Sequence, residues 1–224
     1  MTSMRTWSRW AGVGYLVIIV TGIYAEFFAR GSLIVPGDAA ATVSNIAGAQ
    51  LLWRSSLASE LVMLVADVAV GLALYMVFRG VSEGIALLAA FFRLTHAAVV
   101  GAGLLTVYAP LLLLGDAEHE TLISALVDAH AYGYAVGLVF FGVYCALIGW
   151  LIIRSGYVPR ILGWLLVVAS AGYLIDSFAR TLLTSYADYE MVLGMVVLLP
   201  AFVAELSFSL WLVVKGASVP QRAA

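Results

Sequence analysis

The chain has 224 residues, of which 64% are hydrophobic and 11% charged, and its mean hydropathy is +1.06. Soluble domains carry about 45–50% apolar and about 25% charged residues, so a water-soluble core is excluded and the bilayer is the natural solvent. The net charge of −2 offers no electrostatic footprint for nucleic acid, and the single Cys145 excludes an intrachain disulfide and a multi-cysteine zinc site.

A membrane-spanning helix needs about 20 mostly apolar residues. Six stretches meet this length: 10–28, 51–78, 85–114, 126–153, 161–183 and 192–214. The first follows Arg5 and Arg9 as a signal peptide would, but it is long, carries Glu26 and leads to no small-residue cleavage site, so it reads as a retained helix. After it, Pro36-Gly37-Asp38 reads as a turn, with Asp38 capping a short surface helix that begins at Ala39. The third stretch has Pro110 near its outer end. Between the fourth and fifth, Arg154-Ser155-Gly156-Tyr157-Val158-Pro159-Arg160 forms a tight turn at one water boundary. The expected fold class is all-α: a polytopic membrane bundle of six helices forming one domain over 1–215, with a short disordered tail over 216–224.

Orientation follows from the lysines and arginines. One side holds Arg5, Arg9, Arg79, Arg154, Arg160, Lys215 and Arg222. The other side's loops hold Asp38, Asp116, Glu118, Glu120, Asp188 and Glu190, with Arg30, Arg54 and Arg180 at helix margins. The basic side is expected to be cytoplasmic, with both termini on it. Trp7, Trp10, Trp150, Trp164 and Trp211 fall near that interface, where an amphipathic ring sits well.

Small residues mark where helices approach one another. Gly133 and Gly137, then Gly142 and Gly149, lie along the fourth stretch, and Ala89, Ala90, Ala97 and Gly101 thin the third. No internal repeat is visible, so the inverted-repeat signature of many transporters is missing.

Ionisable groups inside a bilayer cost roughly 2.5–3.5 kcal/mol each on insertion scales, so they face the bundle interior and pair. A rise of about 1.5 Å per residue puts Asp67, Arg93, His96 and Glu205 at one depth near the midplane. The simplest account is an Arg93 cation held between Asp67 and Glu205, with His96 nearby. Glu26, Glu60, His130, Asp176 and Arg180 form a second layer in the outer third. Asp176 and Arg180 are spaced to pair along one helix, and Glu60 and Asp67 share a helix face. Tyr24, Tyr132, Tyr134 and Tyr173 supply hydroxyls at similar heights. Glu26, Glu60, Asp67, Asp176 and Glu205 outnumber Arg93 and Arg180, so either some carboxyls carry protons or a cation completes the balance. Pro200, five residues before Glu205, removes a helix hydrogen bond beside that charge.

Familiar catalytic motifs are missing. There is no phosphate loop, no nucleotide fingerprint and no GxSxG nucleophile elbow. His119-Glu120-Thr121-Leu122-Ile123 starts like a zinc-protease motif but lacks its second histidine. No cofactor is expected. Whether a metal binds is open, because His130 with Glu26, Glu60 or Asp176 forms a conceivable ligand set.

Several pieces of the chain resemble a known bacterial membrane family. They are Gly22-Ile23-Tyr24-Ala25-Glu26-Phe27, Phe92-Arg93-Leu94, Phe140-Phe141-Gly142, Ser155-Gly156-Tyr157-Val158-Pro159-Arg160-Ile161-Leu162-Gly163, Gly172-Tyr173-Leu174-Ile175-Asp176-Ser177, Ala204-Glu205-Leu206-Ser207 and Leu210-Trp211-Leu212. The family is the one labelled domain of unknown function 4386. The resemblance implies a multi-pass protein of the bacterial inner membrane and assigns no activity.

Three functions remain. The first is a small transporter or binding protein whose acidic intramembrane cavity takes a proton, a cation or a cationic small molecule. The second is an intramembrane metal-dependent enzyme acting on lipid. The third is a structural or regulatory subunit. The lipid bilayer is the expected partner, and a homo-oligomer is compatible with the sequence.

Overall fold

The computed structural model of the protein describes residues 3–115 and 117–217, so Asp116, Arg222 and the tail from 218 lie outside the described residues. All regular structure among them is helical. Helix α1 (Met4–Ile23) begins where the Ser3 hydroxyl accepts the Thr6 amide, and it runs directly into a π-helical turn, Tyr24–Arg30. A turn follows in which Gly37 takes a positive φ of 78°. Asp38 Oδ1 then accepts the Ala41 amide at 2.9 Å and starts α2 (Ala39–Gly48), as its capping position predicts.

The remaining helices are α3 (Gln50–Phe78), α4 (Glu83–Leu113), α5 (Glu120–Ser155), α6 (Arg160–Leu182) and α7 (Tyr186–Val214). Six helices, all but α2, are long and apolar enough to cross a membrane. Most boundaries fall within a few residues of those expected. Helices α1, α5 and α7 each begin six residues earlier than their apolar windows, because a helix persists beyond the hydrocarbon where polar side chains meet water.

The six long helices form a closed ring. Each packs on the next in sequence, and α7 returns to α1. Glycines set the closest approaches. A methyl group at Gly149 would come within 2.7 Å of the Gly163 carbonyl oxygen, and one at Gly12 within 2.8 Å of the Ser209 carbonyl oxygen. Gly142 also faces α6, whereas Gly137 faces Val100 and His96 of α4. The small residues of α5 therefore serve two neighbours.

The α5–α6 turn is the anchor its sequence suggests. Gly156 adopts φ 71°, a left-handed conformation that suits glycine, and ends α5. Ser155 Oγ accepts the Tyr157 and Val158 amides, and Pro159 precedes α6. Tyr157 stacks on Phe78 with ring centroids 6.1 Å apart, and its hydroxyl donates to the Val77 carbonyl at 2.8 Å. Burial pushes this phenol up to about 12.

Hydrophobic packing divides the molecule. The larger core contains Val77, Phe78, Ile148, Leu151, Leu166, Phe208 and Leu212, toward the end of the bundle that holds the α5–α6 turn. A smaller cluster of Ile46, Trp53, Leu57, Leu104, Val107 and Val127 lies at the opposite end, where α2 packs on α5 and α3. Trp53 is fully buried there and donates its indole N–H to the Val107 carbonyl at 2.9 Å. Beside this smaller cluster, the ring is left unfilled on its α1, α6 and α7 side.

Candidate functional site

The site is built on α3, which places Glu60 and Asp67 two turns apart on its buried face. Asp67 Oδ1 pairs with Arg93 Nη2 of α4 at 2.5 Å, and Arg93 Nε donates to the Asp67 carbonyl at 3.2 Å. Arg93 Nη1 donates to the Tyr15 hydroxyl at 2.9 Å, and Tyr15 and Tyr144 share a hydrogen bond of 2.6 Å. The guanidinium carbon sits 4.6 Å from both tyrosine ring centroids and 5.4 Å from that of Phe141. Arg93 is thus fully enclosed, with its charge answered by one carboxylate and three aromatic faces.

The expected Asp67–Arg93–Glu205 clamp is therefore only half present. No Arg93–Glu205 ion pair is found among the described residues; Tyr15 and Tyr144 hold the space around the guanidinium. Glu205 instead accepts a hydrogen bond of 2.6 Å from the Tyr173 hydroxyl of α6. Neither tyrosine beside Arg93 stands out in the sequence, because an aromatic residue in an apolar run looks like ordinary core.

His96, one turn beyond Arg93 on the same helix, lies with Nδ1 3.0 Å from the Gly137 carbonyl oxygen. A carbonyl only accepts, so Nδ1 carries the proton. The other nitrogen, Nε2, faces Asp67 Oδ2 across 3.9 Å. That carboxylate oxygen has no hydrogen-bond partner among the described residues.

The outer layer repeats this arrangement. Arg30, only 2% exposed, pairs at 2.5 Å with both Glu26 and Glu60. The sequence reading leaves Arg30 at a helix margin. The structure corrects this: the π-helical turn, with its Gly31 amide bonding five residues back to the Glu26 carbonyl, brings Arg30 into the bundle. Glu60 Oε1, the oxygen that does not carry Arg30, faces His130 Nε2 of α5 across 3.7 Å.

Asp176 and Arg180 do not form the direct i,i+4 pair that their spacing suggests. Tyr186 at the start of α7 donates to Asp176 Oδ1 at 2.8 Å and accepts from Arg180 at 3.1 Å, while Arg180 pairs with Glu190 at 2.6 Å. Both α7 partners lie outside the apolar window of the last span, so hydropathy gives no sign of them.

These groups surround a cavity with two lobes of about 330 and about 440 Å³. Glu26, Tyr134, Tyr173, Asp176, Arg180 and Glu205 line both lobes. His130 lines the smaller, and Asp67, His96 and Glu190 the larger. Ile18, Met63, Leu138 and Leu198 supply apolar wall to both. Glu60 and Arg93 stand behind this wall, where they hold lining residues in place. Glu205 and Asp176 both face the cavity with a tyrosine hydroxyl as hydrogen-bond partner and no basic side chain within ion-pair distance among the described residues, but only Glu205, 8% exposed, is buried. Even with Arg30 counted, the carboxyl groups of the site outnumber its guanidiniums.

The outer layer does not assemble the metal centre that His130 and its neighbouring carboxylates suggest. Among the described residues no group of three histidine, cysteine or acidic side chains is close enough to hold a metal ion. Arg30 takes the position between Glu26 and Glu60 that a cation would need.

Comparison with known proteins identifies a family and adds no activity. An uncharacterized protein of Archaeoglobus fulgidus is 32% identical over 161 residues, covering 72% of this chain and 83% of the relative. No solved structure matches the chain. The family described as Domain of unknown function (DUF4386) matches residues 10–216, nearly the whole of the bundle. The chain is a multi-pass, all-helical member of that family.

Proposed function

We propose that the protein is a small transporter or binding protein of the cytoplasmic membrane whose cavity takes a small organic cation. The observation that carries this reading is Glu205, a buried carboxylate that lines the cavity with only a tyrosine hydroxyl as its hydrogen-bond partner. Burying an ionised carboxylate without a counter-charge is costly, so a bound cation is stabilised there. Tyr134 and Tyr173 line both lobes, and Phe141 and Phe202 each line one, giving aromatic faces that attract an organic ammonium group. A lobe volume of about 330 Å³ lies in the range of small-molecule pockets.

The two rival readings are less well supported. The lipid-acting metalloenzyme needs His130 and two carboxylates gathered around an ion, and Arg30 occupies that place. The purely structural role needs Asp67, Arg93 and Glu205 to satisfy one another around a filled core, whereas Glu205 stands apart beside a cavity.

Thermal unfolding of the detergent-purified protein tests the proposal, with tetraethylammonium as probe and sodium and magnesium chloride as controls. Probe at about 100 times Kd adds about 2.7 kcal/mol of apparent stability, so the unfolding midpoint should rise by several degrees. Glu205→Gln should keep its own midpoint and lose the rise. A rise of equal size in that variant would remove Glu205 from the binding site.

A further inference from the structure

The bundle contains the same three-part unit twice. In one, Asp67 has one oxygen on Arg93 and the other facing His96 across 3.9 Å. In the second, Glu60 has one oxygen on Arg30 and the other facing His130 across 3.7 Å. We infer that these are two proton-binding stations, and that Tyr134 links them along the cavity wall.

The chemistry of the gaps supports this. With its Nδ1 proton committed to the Gly137 carbonyl, neutral His96 turns a lone pair toward Asp67 Oδ2, which is itself an acceptor. Two buried acceptors that face each other need a donor. At about 3.8 Å, the gaps are too wide for a hydrogen bond and too narrow for an intervening water. A proton on Nε2 turns each pair into an imidazolium–carboxylate hydrogen bond, which closes to about 2.7–2.9 Å. At the outer station, both nitrogens of His130 lack a hydrogen-bond partner among the described residues, although the ring is only 7% exposed.

Charge accounting agrees. Arg93 neutralises Asp67, so the inner station is neutral when empty and carries one positive charge when His96 is protonated; Arg30 is shared by Glu26 and Glu60, so the outer station carries one negative charge when empty and is neutral when His130 is protonated. Glu60 and Asp67 lie seven residues apart, about 10 Å along α3. At an effective dielectric constant of about 20, two protons added that far apart repel enough to weaken the second about tenfold. The stations therefore fill in sequence.

Tyr134 is placed to connect them. Its ring centroid lies 6.4 Å from that of His96 and 6.1 Å from that of His130, and it lines both lobes. A phenol both donates and accepts, so with cavity water it can pass a proton from one lobe to the other. Other charged groups face each station. Glu205 lies across the larger lobe from His96. Around His130 are Glu26 and Arg30 of the π turn, and Asp176 and Arg180 of α6 across the smaller lobe. From α4, a methyl group built on Gly103 would lie 3.8 Å from His130 Nδ1.

The experiment is histidine-ring nitrogen NMR of the 15N-labelled, full-length protein in lipid nanodiscs between pH 4 and 10, with signals assigned from the His96→Gln and His130→Gln variants. In the unmodified protein, both rings should take up a proton within this range. His130→Gln should raise the proton affinity of His96 about tenfold, and His96→Gln should do the same for His130. Should one variant fail to fold, the other still reads the coupling. Tyr134→Phe should leave both affinities within about twofold while slowing proton exchange between the two rings. If His96 is unmoved in His130→Gln, or if neither ring titrates while the protein stays folded, the stations are refuted. If exchange is unchanged in Tyr134→Phe, Tyr134 is not the link. No organic cation is added, so this inference and the cation-binding reading can fail separately.

Discussion

At the residue scale, Arg93 shows how a charge is kept inside an apolar bundle. Its guanidinium has one ionic partner, one tyrosine hydroxyl and three ring faces, so its removal has a definite consequence. Arg93→Met leaves Asp67 buried with neither of its carboxylate oxygens bonded. Breaking a buried pair from one side costs about 3–5 kcal/mol, whereas removing both charges together costs much less. The double variant Asp67→Asn/Arg93→Met should therefore be more stable than Arg93→Met alone. Reversible unfolding in bicelles would measure this, and a double variant no better than the single one would show that packing, and not the unpaired charge, sets the loss. The pairing of Asp67 with Arg93 was legible because both are ionisable and share a depth. Arg30 and Glu190 were not, because they stand at the edges of apolar windows and only the π turn and the early start of α7 bring them to the site. Tyr15, Tyr144 and Tyr186 were hidden for another reason: tyrosine is common in membrane helices, and nothing in its spacing separates a ligand of arginine from a core ring.

At the element scale, the contact between α5 and α6 rests on two glycines that face each other backbone to backbone. A methyl group at Gly163 would meet the Gly149 carbonyl oxygen at 2.6 Å, and a main-chain atom cannot swing aside as a side chain can. Gly163→Ala should therefore force the helices apart and cost about 1–3 kcal/mol, even though alanine is the better helix former. Gly84→Ala, where nothing lies within 4 Å, should stay within about 1 kcal/mol of the parent. Equal losses at both sites would mean that the close approach is not what holds the pair. The adjoining turn responds to pH. Tyr157 ionises near 10 when unfolded and is pushed up to about 12 when folded, so its neutral form is the one the fold favours. Its contribution is intact below about pH 10 and is lost as pH rises from about 10 to about 12. Tyr157→Phe lacks this titration, so its unfolding midpoint should fall less steeply than the parent's over that interval. Identical slopes would show that folding does not bury the phenol. The turn itself was readable from Ser155-Gly156 and Pro159 because local chemistry determines it. Which helices it joins to α3 was not, since no spacing rule gives the order of helices around a ring.

At the scale of the whole molecule, ring closure and charge together give the cavity a side. The described ends of the chain meet: the Ala217 amide donates to the Ser8 hydroxyl at 2.8 Å, as an even number of spans requires. Arg79, Arg154, Arg160 and Lys215 lie at that end of the bundle, and by the positive-inside rule the excess of basic residues there predicts that it faces the cytoplasm. The cavity lies toward the opposite end, where Arg180, Tyr186 and Glu190 line it beside the α6–α7 turn, so its mouth should face outward. Two cysteines can test this in a Cys145→Ala background, since Cys145 is fully buried and its loss exposes nothing. Gly80→Cys lies in the α3–α4 turn, where an added side chain meets nothing within 4 Å, and Thr184→Cys lies in the exposed α6–α7 turn. Three spans separate these positions, so they must lie on opposite sides. A membrane-impermeant maleimide added to intact cells should label Thr184→Cys at once and Gly80→Cys only after the membrane is opened. The opposite pattern would turn the cavity toward the cytoplasm and reverse the direction from which a cation reaches Glu205. Labelling of both from one side would mean that one of α4, α5 and α6 does not cross the membrane, and the ring could not then close as it does.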